Sequence, residues 1–200
     1  MDWDYWGRPL PGLGDIDARF LIVGLAPAAH GGNRTGRMFT GDSSGDWVVR
    51  ALYETGFANQ PVSISRDDGL VVRDCYITAV ARCAPPKNKP NRDELLNCRR
   101  YLVNEIYLLK NIRIILTLGR ISFTNTLYAL RELYPNLEYK NIIFSHGAKY
   151  FLVGTPYILY VSYHPSRQNT QTRRLTWDMW IDVYRRIRED LDRMASVSSG

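Results

Sequence analysis

Four short apolar runs limit how this chain can fold: Phe20–Gly24, residues 75–80, residues 112–118 and Ile158–Ser162. Each is continuous and rich in β-branched or aromatic residues, with no alternation of apolar and polar positions. Such runs mark strands buried on both faces, as parallel strands are when helices cover them. Helical patterns lie between the runs. Asn91 and Glu94 have the spacing of a capping box, and Leu95, Leu102, Ile106 and Leu109 form the stripe that follows. A second helix is expected over residues 121–134, stopping before Pro135, because proline disfavours helical geometry in the residue ahead of it. A last helix is expected over residues 173–194, with Leu175, Met179, Val183, Ile187, Leu191 and Met194 on one face. Residues 150–153 are a candidate fifth strand. The expected fold is α/β, three-layer α/β/α with a central, mostly parallel sheet of four to five strands. Residues 1–195 are read as a single domain and 196–200 as a polar tail.

The composition is that of an ordinary soluble globule, 45% hydrophobic and 23% charged, and no apolar stretch approaches a bilayer span of about 20 residues. Met1-Asp2-Trp3-Asp4 lacks the basic and apolar regions of a signal peptide, so a cytoplasmic protein is expected. A formal charge of +6 and a pI near 9.3 suit a polyanionic partner, or solubility alone. The placement of charge favours the partner. Arg167, Arg173 and Arg174 cluster beyond the last strand, and Arg34 and Arg37 sit in a glycine-rich loop after the first. Three cysteines, Cys75, Cys83 and Cys98, do not make a disulfide framework.

Two segments carry the chemistry. Residues 24–42, Gly-Leu-Ala-Pro-Ala-Ala-His-Gly-Gly-Asn-Arg-Thr-Gly-Arg-Met-Phe-Thr-Gly-Asp, join the first strand to a helix start at Ser43-Ser44-Gly45-Asp46. Glycines there let backbone N–H groups come close to a ligand near a helix N-terminus. Taken alone this could be a nucleotide-phosphate loop, although neither a Lys-Ser/Thr ending nor a GxGxxG spacing is present. The second segment, Ser162-Tyr163-His164-Pro165-Ser166-Arg167-Gln168-Asn169-Thr170-Gln171-Thr172, follows the last strand. Ligands of α/β sheets gather at the carboxyl ends of strands, so both segments point to one edge.

Together the two segments resemble the active-site motifs of the uracil-DNA glycosylase superfamily, most closely its family 5, the type b enzymes of thermophilic bacteria and archaea. Three more stretches agree: Tyr5-Trp6-Gly7-Arg8-Pro9-Leu10-Pro11-Gly12, Arg82-Cys83-Ala84-Pro85-Pro86-Lys87-Asn88-Lys89-Pro90 and Leu118-Gly119-Arg120-Ile121. The resemblance implies a monomeric, monofunctional DNA-repair hydrolase. It would flip uracil or another deaminated base out of double-stranded DNA, cut the N-glycosidic bond and leave an abasic site. The alternative is a DNA-damage binding protein with little catalysis. A small-molecule nucleotide enzyme is a weaker third.

The same resemblance implies roles for individual residues. His164 would hydrogen-bond the oxyanion that develops on the leaving base. Ala26 stands where most of the superfamily has an acidic or amide residue that activates water, an absence family 5 shares. Asn88 matches the asparagine implied as the water ligand; Asp42 is the other candidate, with capping of the next helix as its competing role. Phe39 would stack on the flipped base, and Asn33 and His30 would line or order the loop. Ala79 falls where tightly uracil-specific relatives carry an asparagine, which implies broad lesion specificity. The segment 167–173, with Gln168 and Asn169, matches a loop that enters DNA, and Arg167, Arg173 and Arg174 would contact phosphates. Cys83 and Cys98 match two of the four ligands of a 4Fe–4S cluster. The family's other two precede the Tyr-Trp-Gly-Arg-Pro stretch, which begins at Tyr5 here. Either the chain is shortened or the cluster is incomplete, with weak loading and a disordered 83–98 connection expected for the chain as it stands.

Overall fold

The computed structural model describes residues 5–198. In chain order it runs β1 (Leu13–Gly14), β2 (Phe20–Gly24), the single turn α1 (Gly32–Thr35), α2 (Ser43–Glu54) and β3 (Cys75–Ala79). After a 3-10 turn at Pro86–Asn88 come α3 (Arg92–Leu108), β4 (Ile114–Leu118), α4 (Arg120–Leu133) and β5 (Lys149–Phe151). The chain closes with β6 (Ile158–Ser162), α5 (Arg167–Gln171) and α6 (Trp177–Ser198). One sheet holds all six strands in the order β1-β3-β2-β4-β6-β5. The inner four are parallel and the two edge strands antiparallel.

Strands β2, β4 and β6 are buried along their whole length, because both faces of the sheet are covered. Phe20, Ile22, Leu116 and Tyr160 pack with α2 and with Trp180 and Tyr184 of α6. Their alternate neighbours Leu21, Val23, Ile115 and Leu159 pack with Leu102 and Ile106 of α3 and with Leu127 and Leu130 of α4. Alternation along a strand thus feeds two separate cores, and the molecule is three layers thick.

The sheet carries one strand more than expected. β1 is only two residues long, and its Gly14 has φ 127° and lies where a Cβ would be 2.2 Å from the Cys75 carbonyl oxygen. Glycine alone permits that pairing. The last helix also begins later than expected. Residues 167–171 form their own short turn, capped by Ser166, and Arg173 turns left-handed at φ 58°. Leu175 kept the helical spacing, yet it enters the core from the connection, 1% exposed. The 83–98 connection is not irregular: a 3-10 turn leads into α3, whose Asn91–Glu94 capping box is complete at 2.7 and 2.9 Å.

Registers Gly24↔Ala79 and Leu118↔Ser162 bring the carboxyl ends of the four parallel strands to one edge. Both chemistry-bearing segments leave the sheet there.

Candidate active site

His164 emerges two residues after β6, and its backbone is tied in place. The Asn169 side-chain amide donates to the His164 carbonyl at 2.8 Å, and Ser44 Oγ donates to the Pro165 carbonyl at 3.2 Å. Gly119, at the head of α4, packs so near that a Cβ there would sit 3.3 Å from the His164 Cβ. Burial pushes the His164 pKa down to about 4, against the opposing pull of the Asp42 charge. The imidazole is therefore neutral near pH 7 and offers an N–H rather than a charge.

A cleft of about 390 Å³ lies in front of His164, and Ala26, Asp42, Asn88 and Arg167 share its walls. It deepens into a recess of about 50 Å³ between Ala26, Pro27, Met38, Phe39 and His164. Phe39 has φ 50°, a strained geometry for a bulky residue. Two glycines make it possible. A Cβ on Gly24 would meet the Phe39 ring at 2.7 Å, and one on Gly45 would lie 2.2 Å from the Phe39 carbonyl oxygen.

Asp42 caps α2 and also lines the cleft. Its Oδ1 accepts the Ser44 and Gly45 N–H groups at 2.9 and 3.0 Å. Asn88 closes the 3-10 turn at φ 56°, exposed, with no side-chain hydrogen bond among the described residues. Asparagine tolerates that left-handed backbone better than most residues. His164, Asp42, Asn88 and Ala26 thus meet in one cleft although they come from three separate parts of the chain, Ala26 and Asp42 from the two ends of the glycine-rich segment.

Other expected residues lie elsewhere. Asn33 belongs to α1, where its carbonyl accepts the Trp6 N–H at 2.8 Å, and exposed His30 meets the Tyr5 hydroxyl at 2.8 Å through Nδ1. Both shape the loop. Ala79 is 2% exposed in the α2/α6 core, so its methyl group is part of the packing rather than of the recess wall. Arg167, Gln168 and Arg173 are exposed around α5, and Arg174 stands over the Tyr163 ring at 4.6 Å.

Arg37 is not a surface cation. It is 7% exposed and donates to Asp68 at 2.7 Å, to Ser63 Oγ at 2.7 Å and to Thr40 Oγ1 at 3.0 Å. Burial pushes the Asp68 carboxyl up, but the Arg37 guanidinium and the Leu70, Ile64 and Ser65 N–H groups outweigh it and hold it at about 2. Arg37 fastens the glycine loop to the 63–68 segment and leaves nothing for phosphate.

Sequence reasoning missed a second hollow of about 340 Å³ that shares His164 and is walled by Phe144, Tyr163, Arg120 and Arg174. Tyr163 adjoins His164 in sequence and could have been found. Phe144 lies in a stretch without periodicity and could not.

The fold and this edge define a class. Over residues 11–188 the chain matches the family model described as the uracil DNA glycosylase superfamily. Curated relatives narrow it. A type-5 uracil-DNA glycosylase of Thermus thermophilus is 48% identical over 90% of this chain and 78% of its own length. One from Pyrobaculum aerophilum is 43% identical over 94% and 79%, and one from Mycobacterium leprae 45% over 98% and 82%. The chain belongs to the uracil-DNA glycosylase superfamily, in its type-5 family.

The thiols do not complete a cluster site. Cys83 is exposed, and Cys98 Sγ accepts the Arg82 N–H at 3.4 Å. Cys75 is buried at the start of β3. Among the described residues no three of His, Cys, Asp or Glu gather to hold a metal. Two thiolates do not fit a four-thiolate 4Fe–4S centre. Among the same residues no helix is long and apolar enough to cross a membrane.

Proposed function

We propose that this chain, as a single domain and a monomer, hydrolyses the N-glycosidic bond of uracil and other deaminated bases in double-stranded DNA. One observation carries the reading: His164, Asp42, Asn88 and Ala26 converge on a cleft that ends in a recess faced by Phe39. The flipped base enters the recess against Phe39, since stacking of a base on an aromatic ring is worth roughly 1–3 kcal/mol. The C1′–N bond breaks and its electron pair leaves with the base. Neutral His164 donates an N–H to the charge that develops on the base oxygen. A water held by the Asn88 amide bonds to C1′, and the proton it loses ends on the base. Asp42, already occupied as a helix cap, adds its charge beside the forming oxocarbenium. Arg167, Arg173 and Arg174 meet the phosphates, with Gln168 beside them.

The recess is walled mainly by Ala26, Pro27, Ala28, Met38 and Phe39. Apolar walls discriminate by only about 10–200-fold, so hypoxanthine and 5-substituted uracils are substrates too. Ala26 also favours a second reading, a damage-binding protein with little catalysis, because a methyl group cannot activate water. Incubation with a uracil-containing duplex followed by alkali separates the two. The glycosylase cleaves the strand only after alkali. Tight binding without alkali-labile sites would leave the binding protein.

A further inference from the structure

His146 lies outside the cleft, in the connection between α4 and β5, yet it grips the strand end that carries His164. The Tyr163 N–H donates to its Nδ1 at 3.3 Å, so that nitrogen bears no proton. Its Nε2–H is then left to donate to the Met179 carbonyl on α6 at 3.2 Å. Ser162 Oγ lies 3.2 Å from the same Nδ1 and donates to the Tyr163 carbonyl at 2.9 Å. The ring also stacks on Tyr163, with centroids 5.2 Å apart and planes 27° from parallel. Only the neutral, Nε2-protonated tautomer satisfies these contacts.

We infer that His146 is a positioning residue for His164: its neutral ring fixes the Tyr163 backbone, and protonation releases it. The inference rests on the reading of His164 as the oxyanion donor. Taking a proton from solvent onto Nδ1 would set two N–H groups against each other, and the Tyr163 N–H would have to move away. His164, the next residue, would move with it, and displacements of about 1 Å can cost a hundredfold in rate. The charged groups facing His146 are Asp182 and Arg186 on α6, paired at 3.7 Å, with Arg174 over the Tyr163 ring. Burial lowers the His146 pKa below 6.5; the Met179 bond and Asp182 oppose this, and Arg186 adds to it. Protonation of His146 should then appear as a loss of rate at a pH below 6.5.

Single-turnover uracil release is measured against pH for the wild type, His146→Asn, His146→Ala and His164→Ala, with thermal melting in the same buffers. The asparagine oxygen falls near the place of Nδ1, accepts the same N–H and does not titrate. His146→Asn should recover most of the neutral-pH rate and lose the acid step that belongs to His146. His146→Ala should release uracil roughly tenfold or more slowly at neutral pH, with abasic-DNA affinity within about twofold of wild type. Superimposed profiles for wild type and His146→Asn throughout the acid limb below pH 6.5 would overturn the inference alone. A folded His146→Ala with the wild-type rate would do the same. If His146→Ala does not fold, the His146→Asn profile decides. Undiminished release by His164→Ala would remove the donor on which this inference rests and so overturn it, and no release by the wild type would sink the proposed function and this inference with it.

Discussion

The two walls of the cleft are built differently. His164 stands at the end of a fully buried strand, with its own carbonyl, the next carbonyl and the preceding N–H all bonded to side chains of other elements. Asn88 stands on an exposed turn, after Pro85 and Pro86, where Lys87 and Asn88 are both left-handed at φ 55° and 56°. One wall draws its order from the sheet; the other draws it from turn chemistry. A donor aimed at developing charge works best when its position is set before the reaction. A group that carries a water tolerates adjustment as DNA closes over it. The comparison predicts that damage to the His164 wall acts through geometry, while damage to the Asn88 wall acts through the lost amide.

His164→Ala should show the largest effect. Removal of one oxyanion donor from a water-excluded site typically costs roughly 10²–10³-fold, about 2.7–4 kcal/mol. Single-turnover release at neutral pH should fall by that much while abasic-DNA binding persists, and a near-wild-type rate would remove His164 from the mechanism. Asn88→Ala comes next, with roughly tenfold slower release, the loss of one hydrogen bond to the water, and only a slightly lower melting temperature: the side chain bonds to nothing among the described residues, and alanine tolerates the φ of 56° less well than asparagine. Asp42→Ala should lose about 0.5–2 kcal/mol of stability with its cap and slow release less than Asn88→Ala. The reverse order of rates would move the water to Asp42.

How much of this was legible follows from what local sequence can report. Strands β2, β3, β4 and β6 were visible because burial on both faces leaves an unbroken apolar run. β1 was not, since two residues at a glycine carry no pattern and their pairing with Ile77 and Tyr76 is tertiary. The cleft residues His164, Asp42 and Asn88 were found through motif and resemblance, not periodicity. Arg37 was misread because its partner Asp68 lies 31 residues away and charge alone does not announce burial. Ala79 was placed by alignment, which fixes a position along a strand but not whether that position opens to a cavity. His146 was invisible: its value lies in bonds to Tyr163 and Met179, and no spacing in the sequence foretells them.

Acid tests the buried wall through stability as well as rate. The His164 pKa is lowered in the fold to about 4 from 6.5, so as pH falls the unfolded chain takes the proton first. Above about pH 6.5 the residue contributes no pH dependence; stability drains from there down to about 4 and levels off below. His146, also lowered, acts in the same direction. Asp68, held near 2, loses its contribution only at lower pH, between 3.8 and about 2. His164→Ala should therefore flatten the melting temperature against pH in the upper window alone. An unchanged slope there would mean that the ring is solvated and titrates normally.

The smallest expected effect separates positioning from DNA contact. Arg167, Arg173 and Arg174 are expected to meet phosphates, so replacing any one by alanine should reduce the slope of log affinity against log salt by about one. Asn169 sits among them in sequence, but its amide nitrogen is engaged with the His164 carbonyl at 2.8 Å. A single such bond contributes about 0.5–1.5 kcal/mol, which bounds the loss to roughly tenfold. Asn169→Ala should slow uracil release by a few-fold, lower the melting temperature slightly and leave the salt slope where it was. Asn169→Asp, which replaces the donor by a carboxylate facing the same carbonyl, should be worse than alanine in rate. A changed salt slope in Asn169→Ala with an unchanged rate would place that side chain on the DNA and take it out of the His164 wall.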